Sequence, residues 1–116
     1  MTNVIKVIIP AGGNTSQIVD LTSYKHLQIY MPSAWTTAAI SFITAPDDMS
    51  TFQSLIDDVG VEVSIGSGVA VASKSISIDV LATSLASVTL CKFVSGLSGS
   101  EVSQTAEAII KIIAKD

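Results

Sequence analysis

Apolar residues in this chain recur mainly at every second position, the period of a strand with one buried face. From Lys25 to Met31, Leu27, Ile29 and Met31 fall on one side, and His26, Gln28 and Tyr30 on the other. Val4 to Ile9 is a β-branched run that stops at Pro10-Ala11-Gly12-Gly13-Asn14, where Pro cannot continue a ladder and Gly or Asn accepts positive φ. Thr15 to Leu21 reads as a second extended piece. Ala38 to Ala45 sets Ile40 and Phe42 against Ser41 and Ile43 before Pro46-Asp47-Asp48 breaks it.

Phe52 to Ile56 and Val61 to Ile65 flank Asp57-Asp58-Val59-Gly60, which predicts a hairpin with an acidic tip in water. Val69 to Ala72 and Ser75 to Val80 read as two short strands or one bent or bulged strand. In Ser87 to Val94, Val88, Leu90, Lys92 and Val94 oppose Thr89, Cys91 and Phe93. The last segment fits two periods. Val102, Ala106, Ile109, Ile110 and Ile113 make a helical stripe, whereas Ala108, Ile110, Ile112 and Ala114 make one strand face. Its isoleucine density favours the strand. Ile109 and Ile113 then flank Lys111 on a second apolar face, which suits a central strand or one meeting a neighbouring subunit.

Gly, Pro and Asp punctuate these runs about every 8–12 residues, the spacing of all-β sandwiches. The pattern therefore predicts an all-β fold, an antiparallel β-sandwich or jelly roll of about eight strands, in one domain over residues 1–116. A chain of 116 residues folds to an accessible surface of roughly 6,000 Å².

Composition narrows the function classes. Only 14% of residues are charged and 5% aromatic, while 48% are hydrophobic, so aliphatic side chains carry the burial. All six basic residues are lysines against ten acids, a net charge of −4. Without arginine the chain has no bidentate phosphate or guanine reader, and nucleic-acid binding is not expected. A lone Cys91 forms no internal disulfide, the start lacks a basic region ahead of an apolar run, and no segment reaches membrane-span length. Intracellular synthesis is expected, with no membrane partner. The 17 Ser and 10 Thr leave a weakly charged, adhesive surface, the kind kept for contact with other proteins.

Catalytic chemistry finds little material. His26, the single histidine, starts an alternating strand with no nucleophile elbow nearby, so it reads as a surface or interface residue. One His and one Cys cannot build a zinc site, and Cys91 reads as a buried, inert thiol. Asp47-Asp48 and Asp57-Asp58, with Glu62 close in sequence, have calcium-like content, but their spacing matches no calcium loop and solvated turns are the simpler reading. Gly12-Gly13 opens no helix and precedes no Lys-Ser or Lys-Thr, so it is a turn rather than a phosphate cradle. Trp35, Tyr24 and Tyr30 are the rings available for glycan stacking, with Trp35 read as a core or contact residue. No metal or cofactor, and no enzymatic activity, is expected.

Ile9-Pro10-Ala11-Gly12-Gly13 leading to Val19-Asp20-Leu21, followed by Leu27 to Phe42 around Pro32-Ser33-Ala34-Trp35, resembles small β-sandwich structural proteins of tailed bacteriophages. Phe52 to Val63 is similar to their central hairpin. Val94-Ser95-Gly96 followed by Val102-Ser103-Gln104-Thr105-Ala106 resembles their connection into a C-terminal strand. Pro46-Asp47-Asp48-Met49 replaces a tighter Asp-Gly turn of that pattern, and Phe93 and Glu107 stand where basic residues are common. The resemblance implies a virion protein made in the bacterial host cytoplasm and working in many symmetric copies. Its first form is a head decoration or cement protein bound to the major capsid protein or other virion proteins, as a homo-oligomer with a trimer favoured. The alternative is a tail- or fibre-associated module binding a receptor or glycan. The candidate protein contacts are Val4, Ile5, Val7 and Ile9 of the N-terminal strand, Trp35, and Ile109 and Ile113.

Overall fold

The computed structural model describes residues 2–22, 24–47, 49–70, 72–80, 85 and 88–116, with backbone alone for residues 2 and 66–70. Among these, ten strands run in chain order: β1 Thr2–Ile9, β2 Val19–Asp20, β3 His26–Tyr30, β4 Ala38–Ala45, β5 Gln53–Ser54, β6 Ser64–Ala70, β7 Ser75–Asp79, β8 Leu90–Leu97, β9 Ser100–Glu101 and β10 Ala108–Lys115. They form a four-stranded sheet ordered β1-β10-β3-β7 and a six-stranded sheet with the path β2-β8-β4-β5, β6 also pairing β4 and β9 pairing β8. Every ladder is antiparallel. The fold is all-β, a sandwich as the alternation predicts, and its accessible surface is 6134 Å².

The core lies between the sheets. Val7, Ile9, Leu27, Ile29, Ile110 and Ile112 enter it from one side, and Ile40, Phe42, Ile65, Cys91 and Phe93 from the other. Phe42 and Phe93 stand opposite each other across β4 and β8, with ring centroids 4.9 Å apart and planes at 74°, an edge-to-face pair worth about 0.5–1.5 kcal/mol beyond its burial. The last segment is the strand its isoleucines favour. It is also central, between β1 and β3.

Two expectations are corrected. Val61 to Ile65 and Val69 to Ala72 do not form separate strands: β6 runs through the glycines between them, with a register shift against β4. Nor do Val69 to Ala72 and Ser75 to Val80 make one bent strand, because β6 lies in the six-stranded sheet and β7 in the other. Chain reversal between them uses Ser73 at φ 61°, a left-handed conformation that alternation does not signal. The excess over about eight strands comes from two-residue pieces, β2, β5 and β9. Val71 and Ser87, which the sequence assigns to strands, lie outside the described residues.

Candidate functional site

The outer face of the four-stranded sheet follows directly from register. Inward residues alternate with outward ones along each strand, so Val4, Ile113, Gln28 and Ser77 form one row across β1, β10, β3 and β7. Lys6, Lys111, Tyr30 and Ser75 form the next row, Ile8 and Ile109 flank it on one side, and Lys115, His26 and Asp79 close the far end. Four apolar or aromatic side chains on this face stand in the open: Val4 at 63% exposure, Tyr30 at 48%, Ile8 at 38% and Ile109 at 37%. Lys6 and Lys111 are directly opposed, a like-charge cross-strand pair that costs stability. An open depression of about 740 Å³ lies over the β3–β7 side, lined by His26, Tyr30, Asp79, Ile113 and Lys115 among others.

The six-stranded sheet differs. Its outward positions Ala39, Ser41, Ala45 and Val94 are buried. Ser41 Oγ donates to the Gly96 carbonyl at 2.6 Å, and the β8–β9 turn is tied to the neighbouring hairpin, the Ser98 amide donating to both Glu62 carboxylate oxygens at 3.1 and 2.9 Å. The outward side of this sheet is partly covered, with Ile43, Leu90 and Lys92 half-buried and Gln53 and Ser54 exposed at its edge, whereas the four-stranded sheet presents an open outer face.

Asp57-Asp58-Val59-Gly60 turns the hairpin that the sequence predicts. Asp57 Oδ1 accepts the Val59 and Val61 amides at 3.0 and 2.9 Å, and the Asp57 amide donates to the Val61 carbonyl. Residues 55–63 project from the edge strand that β5 and β6 together lay along β4. Its base, Leu55 and Val63, packs on the core, but Ile56, Val59 and Val61 are exposed beside the acids, Val59 at 78%. The apolar content of this tip goes beyond the acidic loop that its turn residues suggest.

The remaining sequence candidates separate cleanly. Ile5 is half-buried against the core, and Ile113 is half-buried on the open face. Val7 and Ile9 have no exposed surface and Trp35 has 5%, so these three drop out as contact residues of the folded chain. The alternation places Val4, Lys6 and Ile8, rather than Val7 and Ile9, on the outer side of β1. Burial of Trp35 also leaves Tyr30 as the ring most open to stacking.

Asp47 Oδ1 caps its own loop, accepting the Met49 amide and Ser50 hydroxyl at 2.9 Å each, and these bonds hold its carboxyl below the ordinary range. Asp48 lies outside the described residues. Among the described residues no three His, Cys, Asp or Glu side chains gather to hold a metal. Burial, with a contribution from Asp20, raises the Cys91 thiol from 9.0 to about 12, so it is protonated at neutral pH.

Composition and motifs both miss Gln104. It is fully buried, its Oε1 accepting the Thr36 amide at 2.7 Å and its Nε2 donating to the Thr36 carbonyl at 3.0 Å and to Ser95 Oγ at 2.8 Å. Its backbone pairs with Gly12 and Gly13. One residue thus ties the β1–β2 loop by its backbone, and the β3–β4 connection and strand β8 by its side chain. The sole signal in the sequence is a polar residue in the quoted Val102-to-Ala106 segment.

No family model matches the sequence, and no curated protein matches it. Among solved structures, the SPBc2 prophage-derived protein YomS superposes with a TM-score of 0.51 at 13% identity, over 98% of this chain and 94% of that one. The chain shares its fold with a prophage-derived protein. At that identity the likeness speaks for the architecture, and it extends across the whole sandwich rather than one sheet.

Proposed function

We propose that this chain is a non-enzymatic structural protein of a tailed-phage virion, and that it serves as a capsid decoration protein binding the head lattice. The observation that carries the reading is the bare outer face of the four-stranded sheet, with Val4, Ile8, Tyr30 and Ile109 exposed around Lys6 and Lys111. Apolar side chains gathered on one open sheet face suit a protein that spends its working life docked. The fold shared with a prophage-derived protein supports a phage setting.

The mechanism is mass action. A protein that binds the assembled lattice but not its dissociated subunits stabilises the shell by its binding free energy, multiplied over many sites. The major capsid protein is the partner, and the chain works in the virion as a homo-oligomer. Quantitative mass spectrometry of purified virions tests this: hundreds of copies per particle support head decoration. A handful to a few dozen move the protein to neck, tail or fibre, and absence ends the virion reading. In a pull-down with expanded heads, Ile109→Asp abolishes binding while leaving the melting temperature close to that of the parent; retained binding removes this face from the interface.

A further inference from the structure

Two features of the surface complement each other. The open face carries three of the six lysines, Lys6, Lys111 and Lys115, with Asp79 as the acid at its edge. Between positions 26 and 73 the chain has five acids and no lysine. Three of those acids, Asp57, Asp58 and Glu62, belong to the projecting hairpin, whose Ile56, Val59 and Val61 are exposed.

We infer that copies of this chain associate head to tail, the hairpin of residues 55–63 from one copy lying on the Lys6–Lys111 row of the next. An acidic tip set between the opposed lysines relieves their repulsion, and Val59 and its apolar neighbours meet Ile8 and Ile109. The contact joins two different patches of the same molecule, so it leaves a free hairpin at one end and a free face at the other. Such a contact closes into a ring when the rotation between copies permits, and otherwise extends. The inference rests on the virion reading for its purpose, whereas its geometry stands on the charge and exposure of these two patches. Because the hairpin covers the face that the decoration reading docks on the lattice, any one copy makes one contact or the other, and the face left free at the end of the array is the one available to the lattice.

The test is sedimentation velocity on the purified chain over a concentration series. The parent chain self-associates, and more weakly as salt rises, because the contact is partly ionic. Lys111→Glu on the face and Val59→Asp on the hairpin each weaken association by about tenfold or more. Both positions are exposed, and circular dichroism checks that each variant is folded. Mixing the two variants then restores a 1:1 dimer that grows no further, since the intact hairpin of the first meets the intact face of the second.

A parent chain that stays monomeric at every concentration overturns the proposal, as does self-association indifferent to Val59→Asp. Failure of the mixture to form the dimer overturns the head-to-tail geometry. A monomer that still binds expanded heads refutes this contact and leaves the decoration reading intact; an oligomer absent from virions does the reverse.

Discussion

Gln104 shows how much of the fold rests on one side chain. Its amide satisfies the Thr36 backbone as a neighbouring strand would, and also reaches the buried Ser95 hydroxyl. Replacing it with leucine leaves the half-buried Thr36 amide and carbonyl and the buried Ser95 hydroxyl without this partner. Gln104→Leu is therefore expected to lower unfolding free energy by roughly 2–4 kcal/mol, measured by urea titration. Gly96 is as constrained. At φ 94° an added Cβ would lie 2.7 Å from the Ser100 carbonyl oxygen and the Val102 amide, so Gly96→Ala disrupts the β8–β9 turn and costs more than about 2 kcal/mol. Cys91 carries a pH signature. Its thiol is raised in the fold, so its contribution is complete below the ordinary value of 9.0 and drains away as pH climbs towards about 12. Thermal melts across that window fall more steeply for the parent than for Cys91→Ala. The inert Cys91 was legible from its apolar, alternating setting; Gln104 was not, because hydrogen-bond partners distant in sequence leave no periodic trace.

At the level of elements, strands with one polar face were legible and short or irregular ones were not. β3 and β4 match the alternation of Leu27, Ile29, Ile40 and Phe42, and β10 carries one apolar set in the core and a second, Ile109 and Ile113, on the open face. The two-residue strands and the sheet change at Ser73 follow from tertiary pairing, which local pattern does not encode. An edge device escaped notice as well. β1 pairs only with β10, leaving a long free edge, and Gln17 seals part of it: its Oε1 accepts the Ile8 amide at 2.9 Å and its Nε2 donates to the Lys6 carbonyl at 2.7 Å. An unsealed edge recruits other strands. Gln17→Ala is expected to change stability by less than about 1 kcal/mol yet speed aggregation, read as light scattering over time at fixed concentration.

For the whole molecule, the scarcity of charge in the sequence corresponds to an outer sheet face on which Val4, Ile8, Tyr30 and Ile109 are exposed. The sheets differ in how far their outward sides are buried, a difference that composition averages away. Val7 and Ile9 of the N-terminal contact set are buried for a simple reason: a strand offers alternate residues to opposite sides, and five β-branched residues set around Lys6 fall on both of them.

The pairing of β1 with β10 brings Thr2 opposite Lys115 and Ile9 opposite Ala108. Among the described strands β1 is synthesised before all the others and β10, its ladder partner, after them. The six-stranded sheet can assemble meanwhile, but β1 must wait, and closing so large a loop places folding among the slower small domains. The lysine-bearing face is made of β1, β10 and β3, so it comes into existence only when translation has delivered β10. A chain cut short before β10 therefore lacks the Lys6–Lys111 row and the neighbouring Ile109 altogether.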